Sequence, residues 1–484
     1  MEMNLKQNLS MLTDFYEITM SNGYFSYGMR DQIAVFDMFF RKIPDEGGFA
    51  IAAGLEQLIE YLENLHFTPE DIAYLREKGI FNEAFLDYLA DFHFACDIWA
   101  VPEGTPVFPN EPIVVVRGPI IQAQLIETMV LLTLNHQSLI ATKSNRIVRA
   151  AQGRPIAEFG SRRAQSFDAA VLGARAAYIG GCATTACVMT DRDYGVPAVG
   201  TMAHSWVQLF DSEYESFEKY ARLYPNNCVF LVDTYNVLKS GVPNAIRVAD
   251  EVLAPMGYRP KAIRIDSGDI AYLSKKSREM LDKAGYPDCK IMATNSLDEY
   301  LIRDLIIQGA RIDQFGVGER LITSKSDPVF GGVYKMAAVE RNGAYIPKIK
   351  ISETVEKITT PCFKELYRFY NRETGQAIAD YVTIRGEVVD DSQPITIFDP
   401  VATWKKKTVT NFIARPLLQP IFSKGKLVYQ IPPLKEVQKY CLEQVGHLWD
   451  EVKRFEYPHR YYVDLSKKLW EERSKLLDAM APSV

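Results

Sequence analysis

The sequence lacks the features that mark secreted, membrane-spanning and nucleic-acid-binding proteins. Its seven cysteines are scattered without a C-x-x-C pair, which argues against a disulfide framework or a zinc site and predicts reduced thiols in a cytoplasmic protein. No uninterrupted apolar stretch is long enough to span a bilayer, and residues 1–17 contain no apolar core of a secretory signal. The formal net charge of -6 shows no basic excess, so general nucleic-acid binding is not expected.

The length and composition of the chain predict a globular protein with more than one domain. Its 484 residues exceed what one core usually holds, and its 47% hydrophobic and 24% charged content is ordinary. We predict an N-terminal mixed α/β domain over residues 1–135, an α/β barrel over 136–345 and a C-terminal segment over 346–484. Outside the barrel, the patterns predict strands at 35–40, 105–116 and 404–413 and helices at 54–65, 129–134, 434–441 and 465–479. No chemistry is indicated for residues 350–484.

Strand and helix patterns alternate in the middle of the chain. The predicted strands are 156–159, 198–202, 229–232, 262–266, 290–293 and 312–317, and the helices between them are 164–179, 205–220, 237–253, 270–284 and 297–308. Such alternation implies parallel strands joined by right-handed crossovers. Six units without an antiparallel interruption favour a barrel, with an open doubly wound sheet as the alternative. In a barrel, the residues that follow each strand gather at one mouth.

The segment 261–269 carries the most specific chemistry in the chain. Arg264 and Asp266 alternate with apolar positions, so both side chains point to one face of a strand. Gly268 lets the backbone approach a ligand closely. An arginine pairs with phosphate, and the carboxylates of Asp266 and Asp269 can hold Mg²⁺ or ribose hydroxyls. The segment therefore predicts a site for a phosphorylated, metal-bound and hydroxyl-rich substrate.

Polar residues and glycines also follow the other predicted strands. They are Arg162, Arg163, His204, Asp233, Asn295, Gly316 and Gly318. Each has a simpler explanation when taken alone: a solvated arginine pair, a structural histidine, a helix cap or a plain turn. The combination is more specific, because a barrel would bring an imidazole, carboxylates, arginines and glycine N–H groups to one mouth.

Several separated motifs, taken in order, resemble the nicotinate phosphoribosyltransferase family. They lie at residues 13–16, 20, 23–24, 40–41, 158–165, 200–205, 232–235, 264–269 and 315–318. The family is similar in fold to the other type II phosphoribosyltransferases. The resemblance therefore implies an irregular α/β barrel with a mixed α/β domain built from both chain ends. It also implies a homodimer whose active sites are shared between subunits.

The resemblance implies an ATP-coupled reaction in NAD salvage. Nicotinate, phosphoribosyl pyrophosphate, ATP and water would give nicotinate mononucleotide, pyrophosphate, ADP and phosphate, with Mg²⁺ as cofactor. His204 matches the histidine that the family phosphorylates, and Asp266 matches a second catalytic position. Imidazole suits the first role, because it is a nucleophile that is largely neutral near pH 7.

The resemblance also implies how the substrates are bound. Phe159 matches the aromatic residue that stacks on the pyridine ring, and Tyr16 matches a second stacking residue contributed by the other subunit. Arg162 and Arg264, with Asp266, match the residues around nicotinate, ribose and pyrophosphate. Contacts to ribose hydroxyls, Mg²⁺ or the 5′-phosphate are expected from Asp269, Asn295, Gly316 and Gly318. The metal ligands stay open, with Asp266 and Asp269 as candidates, and Glu319 and Arg320 have no assigned role.

The choice between nicotinate and nicotinamide depends on Ala183. The related nicotinamide enzyme resembles this chain but places an aspartate there, which would accept a hydrogen bond from an amide and repel nicotinate. The absence of a carboxylate favours the acid substrate, unless Ala183 is a small residue that packs a helix. A nicotinamide phosphoribosyltransferase and a non-catalytic sugar-phosphate-binding scaffold are the alternatives.

Overall fold

The computed structural model describes residues 8–480, and the chain divides into two units. The first, called the terminal unit, comprises residues 1–139 and 329–484, and the second, called the central unit, comprises residues 140–328. Residues 1–7, on which part of the signal-sequence argument rests, lie outside the described residues. Within residues 8–480, none of the helices combines the length and the apolar character that crossing a bilayer requires.

The terminal unit is built from both ends of the chain, as the family resemblance implied. Its largest sheet is antiparallel and runs in the order Ala344–Pro347, Val333–Arg341, Ile33–Phe39, Val114–Pro119, Asp97–Ala100, Gln419–Ser423 and Lys426–Leu427. A second sheet runs Phe412–Pro416, Lys364–Asn371, Ala377–Ile384 and Val463–Leu465, and two-stranded sheets join Ile395–Phe398 to Lys406–Val409 and Ala50–Ile51 to Pro106–Val107. The helices that begin in this unit are Phe15–Ser26, Leu55–Glu63, Pro69–Glu77, Glu83–Ala90, Ile120–Leu125, Glu127–Ala150, Leu434–Gly446 and Lys467–Met480.

The barrel segment predicted to end at residue 345 extends too far. The strand Val333–Arg341 pairs with Ile33–Phe39, so it belongs to the terminal unit. Sequence alone could not place it, because an apolar strand has the same pattern in either unit. The predicted buried helix at 129–134 lies inside Glu127–Ala150, where Met129, Val130 and Leu134 are buried.

The central unit contains six parallel strands in one sheet. Their order is Thr184–Thr185, Ile156–Glu158, Gln314–Val317, Lys290–Ala293, Ala262–Ile265 and Val229–Leu231. Along the chain, the first strand of this unit, Ile156–Glu158, therefore pairs with the last, Gln314–Val317, through Ile156 and Phe315. Such closure distinguishes a barrel from an open doubly wound sheet, in which the chain ends do not meet. The α/β barrel prediction is confirmed.

The barrel is irregular because one predicted strand does not form. Residues 198–202 contribute a single bridge, from Ala198 to Thr185, and Val199 is 37% exposed. A strand inside a parallel sheet must be buried on both faces, and this segment is not. The strand Thr184–Thr185 was not predicted. It does not pair with Val229–Leu231, the next strand along the chain, and His204 lies in the segment that connects the two.

Helices follow the strands of the central unit much as the periodicity predicted. They are Phe167–Ile179, Val188–Tyr194, His204–Leu209, Glu213–Leu223, Val242–Val248, Ile270–Lys283, Glu299–Ile307 and Glu319–Ile322. The single helix predicted over 205–220 is divided, because the Ser212 hydroxyl accepts from the Glu215 N–H at 3.1 Å and caps a second helix. The strands enclose a core that includes the fully buried Phe230, Ile263 and Ile291.

Candidate active site

His204 lies at the start of the helix His204–Leu209, and both of its ring nitrogens face polar side chains. Its Nδ1 lies 3.1 Å from the Thr234 hydroxyl. Its Nε2 lies 4.0 Å from Asp233 Oδ1 and 3.9 Å from Asp266 Oδ2. The imidazole is 41% exposed, so a ligand can reach it. One edge of the ring is thus oriented by a hydroxyl, while the other faces two carboxylates.

Asp233 is the buried member of this group. Its side chain is 1% exposed, and its Oδ2 accepts hydrogen bonds from the Asp266 N–H at 3.1 Å and the Ser267 hydroxyl at 2.6 Å. Its Oδ1 has no hydrogen-bond partner among the described residues. A buried carboxylate oxygen without a partner is costly, so a ligand or cation that pairs with Oδ1 would be stabilised. The alternative that Asp233 caps a helix is wrong, because Asn236 caps the next helical turn.

Asp266 connects the histidine to the next strand of the barrel. Its Oδ1 accepts a hydrogen bond from the Thr294 hydroxyl, and its side chain is 38% exposed. Thr294 follows the strand Lys290–Ala293, which pairs in parallel with the strand that precedes Asp266. The carboxyl ends of neighbouring strands therefore meet here, as the barrel prediction required.

The arginine of the same strand faces the same site. Arg264 donates a hydrogen bond to the Thr201 hydroxyl, and its Nε has no hydrogen-bond partner among residues 8–480. Burial lowers the pKa of Arg264, and the positive charge of Arg162 acts in the same direction. The carboxylates of Asp266 and Asp233 oppose that shift. Two guanidinium groups in close range, one with a free donor, can bind a polyanion such as pyrophosphate.

Phe159 and Gly316 form an apolar platform beside these groups. A Cβ placed on Gly316 would come within 2.8 Å of Phe159 Cδ2 and 2.7 Å of Thr294 Cγ2. The aromatic ring therefore lies directly on the glycine. The Phe159 N–H donates to the Val317 carbonyl at 2.7 Å, which ties the residue to the neighbouring strand. A half-buried ring held in this way can stack against a planar ligand.

Glu158 fixes the turn that presents Phe159. One carboxylate oxygen accepts from the Gly160 N–H and the other accepts from the Thr185 hydroxyl at 2.7 Å. Burial raises the pKa of Glu158. A Cβ on Gly160 would come within 2.4 Å of Ile322, so the turn has no room for a side chain at that position.

Two of the predicted residues have local structural roles in the central unit. The Asp269 carboxylate accepts from the Tyr272 N–H at 3.0 Å and caps the helix Ile270–Lys283. Gly318 precedes the helix Glu319–Ile322, and a Cβ there would lie 2.9 Å from the Phe159 carbonyl oxygen. Glu319 pairs with Lys325 at 2.7 Å and Arg320 pairs with Asp298, so both make surface ion pairs.

Asn295 has an unusual backbone conformation. Its φ is 90° and that of the next residue, Ser296, is 40°. Such values are rare for residues other than glycine and cluster at ligand sites, where the surrounding structure holds them in place. Asn295 is exposed next to Thr294, so its side chain is open to a ligand at the mouth of the barrel.

Known proteins match this chain along nearly its whole length. Residues 11–135 match the model of the nicotinate phosphoribosyltransferase N-terminal domain, and residues 363–473 match that of the C-terminal domain. The nicotinate phosphoribosyltransferase of Bacillus subtilis is 46% identical over 96% of this chain and 94% of its own. The chain belongs to the nicotinate phosphoribosyltransferase family.

Solved structures share the fold of this chain. The crystal structure of human nicotinic acid phosphoribosyltransferase matches 96% of this chain and 99% of its own, with a TM-score of 0.85 and 27% identity. The nicotinate-nucleotide pyrophosphorylase of Pyrococcus furiosus matches 92% of this chain and 97% of its own, with a TM-score of 0.70 and 24% identity. The second match shows the fold alone.

Tyr16, expected to complete a nicotinate phosphoribosyltransferase site across a dimer, lies in the terminal unit. It is the second residue of the helix Phe15–Ser26 and is 44% exposed. Partial burial, and then the neighbouring carboxylate of Glu127, raise the pKa of the Tyr16 phenol. The phenol therefore stays protonated, with an exposed ring that a second subunit could use.

Ala183, the position predicted to select nicotinate, is exposed and lies outside any helix. The helix Phe167–Ile179 ends before it, and the Ala183 N–H donates to the Ile156 carbonyl at 2.8 Å next to the strand Thr184–Thr185. The alternative that it packs a helix is wrong. Its position beside the strand that precedes Phe159 is compatible with a role in choosing the ligand.

Sequence reasoning missed the three threonines of the site. Thr201, Thr234 and Thr294 contact Arg264, His204 and Asp266 respectively. Thr294 comes directly after a predicted strand and Thr234 comes two residues after one, and that position was the available signal. Threonine is so common in strands and turns that its presence there indicated no chemistry.

Proposed function

We propose that this protein transfers the phosphoribosyl group of phosphoribosyl pyrophosphate to nicotinate in an ATP-coupled reaction of NAD salvage. The products are nicotinate mononucleotide, pyrophosphate, ADP and phosphate. The observation that carries the proposal is the position of His204, whose Nδ1 lies by the Thr234 hydroxyl and whose Nε2 faces two carboxylates. Family membership supports the identity of the substrates.

His204 is the proposed phosphoryl acceptor. In the proposed tautomer Nδ1 carries the proton and donates to the Thr234 hydroxyl 3.1 Å away, which leaves a lone pair on Nε2. This nitrogen attacks the γ-phosphorus of ATP, the bond to the bridging oxygen breaks, and ADP leaves with its electron pair. The phosphohistidine strengthens binding of phosphoribosyl pyrophosphate and is hydrolysed as the products leave.

In the second step the pyridine nitrogen of nicotinate attacks C1 of the ribose, and the bond from C1 to pyrophosphate breaks. Positive charge develops on the sugar, where Asp266 stabilises it, and negative charge develops on the leaving group, which Arg264 and Arg162 bind. Phe159 stacks on the pyridine ring. The nitrogen is already nucleophilic, so no general base is needed.

Mg²⁺ is the proposed cofactor, and Asp266 and Asp233 are the residues that fit it best. The unpartnered, buried Asp233 Oδ1 supports this, whereas the carboxylate of Asp269, the other candidate, caps a helix. Among residues 8–480, no group of three or more His, Cys, Asp or Glu side chains is placed to hold a metal ion, and in the proposal substrate phosphates supply the remaining ligands. When bound, Mg²⁺ neutralises charge that develops on the leaving pyrophosphate.

The remaining features of the proposal concern ribose contacts, assembly and location. The strained, exposed Asn295 and the backbone between Gly316 and Gly318 are assigned to ribose hydroxyls and the 5′-phosphate. The enzyme is proposed to act as a cytoplasmic homodimer in which Tyr16 of each subunit completes the other's site. The exposure of Tyr16 supports this assignment.

Product formation from phosphoribosyl pyrophosphate and Mg²⁺ tests the proposal, with nicotinate or nicotinamide and with or without ATP. We expect nicotinate mononucleotide, in greater amount with ATP and accompanied by ADP. Product from nicotinamide alone would overturn the specificity argument at Ala183. No product from either base would favour a sugar-phosphate-binding scaffold. His204→Ala should remove the ATP effect, while His93→Ala, which changes an exposed histidine of the terminal unit, should not.

A further inference from the structure

A cavity in the terminal unit is lined by none of the residues discussed above as catalytic or substrate-binding. Its volume is about 520 Å³. It is lined by the end of the strand Lys364–Asn371, the start of Ala377–Ile384, the strand Lys406–Val409 and side chains from residues 449–462. This volume lies in the range that binds cofactors and drug-sized ligands.

Three aromatic rings form one wall of the cavity. Trp449 lies 5.6 Å from His459 and 5.4 Å from Tyr462, measured between ring centroids, and His459 lies 6.0 Å from Tyr462. The three interplanar angles are 62°, 65° and 80°, so the rings meet edge to face, and Tyr462 is 40% exposed. The Trp449 indole N–H donates to the Ala377 carbonyl, which fixes its orientation.

Lys407 brings a positive charge to the aromatic wall, and the Glu451 carboxylate lines the same cavity. Its Nζ lies 5.6 Å from the centroid of the Tyr462 ring, and it forms no ion pair with a described carboxylate. The ammonium group already occupies the cation-binding face of Tyr462, so a cationic ligand could not use that face. An anionic group is the chemistry that a lysine without a counterion favours.

Polar groups without partners complete the lining. The amide of Gln376, the hydroxyl of Thr410 and the carboxylate of Glu451 make no side-chain hydrogen bonds to residues 8–480. The Gln376 amide can both donate and accept, the Thr410 hydroxyl can do the same, and the Glu451 carboxylate accepts from hydroxyl or amino groups. A matching ligand has an aromatic ring, hydroxyl or amino donors, and an anionic group in one molecule.

We propose that this cavity binds a purine nucleoside monophosphate. The base stacks on the aromatic wall, the phosphate pairs with Lys407, and Glu451 accepts from ribose hydroxyls or the exocyclic amine. A smaller aromatic acid would reach fewer of the exposed polar groups of the lining and would gain fewer hydrogen bonds. The site is separate from the proposed catalytic chemistry and does not depend on it.

Calorimetric titration of AMP into the purified full-length protein tests the proposal. Adenosine supplies the ring without the charge, ribose 5-phosphate supplies the charge without the ring, and choline supplies a cation. We expect AMP to bind more tightly than each of these. Lys407→Glu should weaken AMP binding at least about tenfold, as loss of a charge-assisted contact predicts. Lys406→Glu is the matched control, because the adjacent side chain points to the other face of the strand and does not line the cavity.

A fluorescence measurement locates the bound base independently. AMP should quench part of the tryptophan emission, and Trp449→Phe should remove that quenching while thermal unfolding stays unchanged. The proposal is overturned by an absence of AMP binding, by equal binding in the two lysine variants, or by tighter binding of choline. If Trp449→Phe disturbs folding, the pair of exposed lysine variants still decides the outcome.

Discussion

Gly316→Ala tests the link between the platform and the activity most directly. The added Cβ would approach Phe159 Cδ2 to 2.8 Å and Thr294 Cγ2 to 2.7 Å, both closer than unstrained contacts allow. The backbone of Gly316 is paired to Ala157 in the sheet and cannot move away easily, so the phenylalanine ring must shift. Overpacking of this kind costs about 1–3 kcal/mol of the free energy of unfolding.

The effect on activity should be selective for one substrate. A displaced Phe159 can no longer stack on the pyridine ring, and loss of such a contact is worth about 0.5–1.5 kcal/mol beyond area burial. Displacement of Thr294 also removes the hydroxyl that holds Asp266. We expect kcat/KM for nicotinate to fall about tenfold or more, since 1.4 kcal/mol corresponds to tenfold. ATP hydrolysis without nicotinate should fall less than nicotinate transfer, because His204 keeps its contact with Thr234 even where Asp266 loses its hydroxyl partner.

Gly446→Ala is the matched control for this variant. Gly446 ends the helix Leu434–Gly446 in the terminal unit, and a Cβ there would meet no heavy atom within 4 Å. Alanine at a helical position is neutral or slightly stabilising, so activity and unfolding should resemble the unchanged protein. Wild-type nicotinate kinetics in a well-folded Gly316→Ala protein would refute the reasoning, because the ring would then have another way to stack.

Three further predictions address the phosphoryl acceptor, the shared site and a buried carboxyl group. His204→Ala should abolish ATP-linked stimulation while slow ATP-independent transfer continues, and unchanged ADP release would rule out the phosphohistidine. Mixed dimers of Tyr16→Ala and His204→Ala subunits should show more ATP-stimulated transfer than either homodimer; no increase would count against a shared site. Burial raises the pKa of Glu17 from 4.5 to about 7, so the folded protein holds this carboxyl protonated over a pH range in which the unfolded chain loses the proton. The free energy of unfolding therefore falls as the pH rises from 4.5 to about 7. Glu17→Gln should therefore match the original protein in urea unfolding at pH 4.5 and exceed it by up to about 3 kcal/mol at pH 8; equal stability at both pH values would contradict the burial argument.

The sequence predicted most of what lies within single strands and little of what lies between them. Arg264 and Asp266 were placed on one face from alternation alone, and the structure has both half-buried with Ile265 fully buried between them. That inference needs only the two-residue period of a strand. The helix cap formed by Asp269 was not predicted. An aspartate before a helix is equally consistent with capping and with ligand binding, and alternation does not distinguish the two.

Contacts between strands depend on the sheet order, which alternation does not specify. Phe159 meets Gly316 because the strand Ile156–Glu158 pairs with Gln314–Val317, although the two are far apart in the chain. The barrel prediction implied this pairing, since closure brings the first strand to the last, and an open sheet would have separated the platform from its glycine. The threonine contacts required the register as well as the order: Thr294 reaches Asp266 because Ala293 is paired with Ile265, so the residues after both strands are adjacent. The charged residues of this site could thus be predicted as far as the barrel itself could be predicted. The threonine hydroxyls that contact them could not, because a threonine at a strand end has no distinctive sequence pattern. Only the strand register shows that it lies beside a carboxylate or an imidazole.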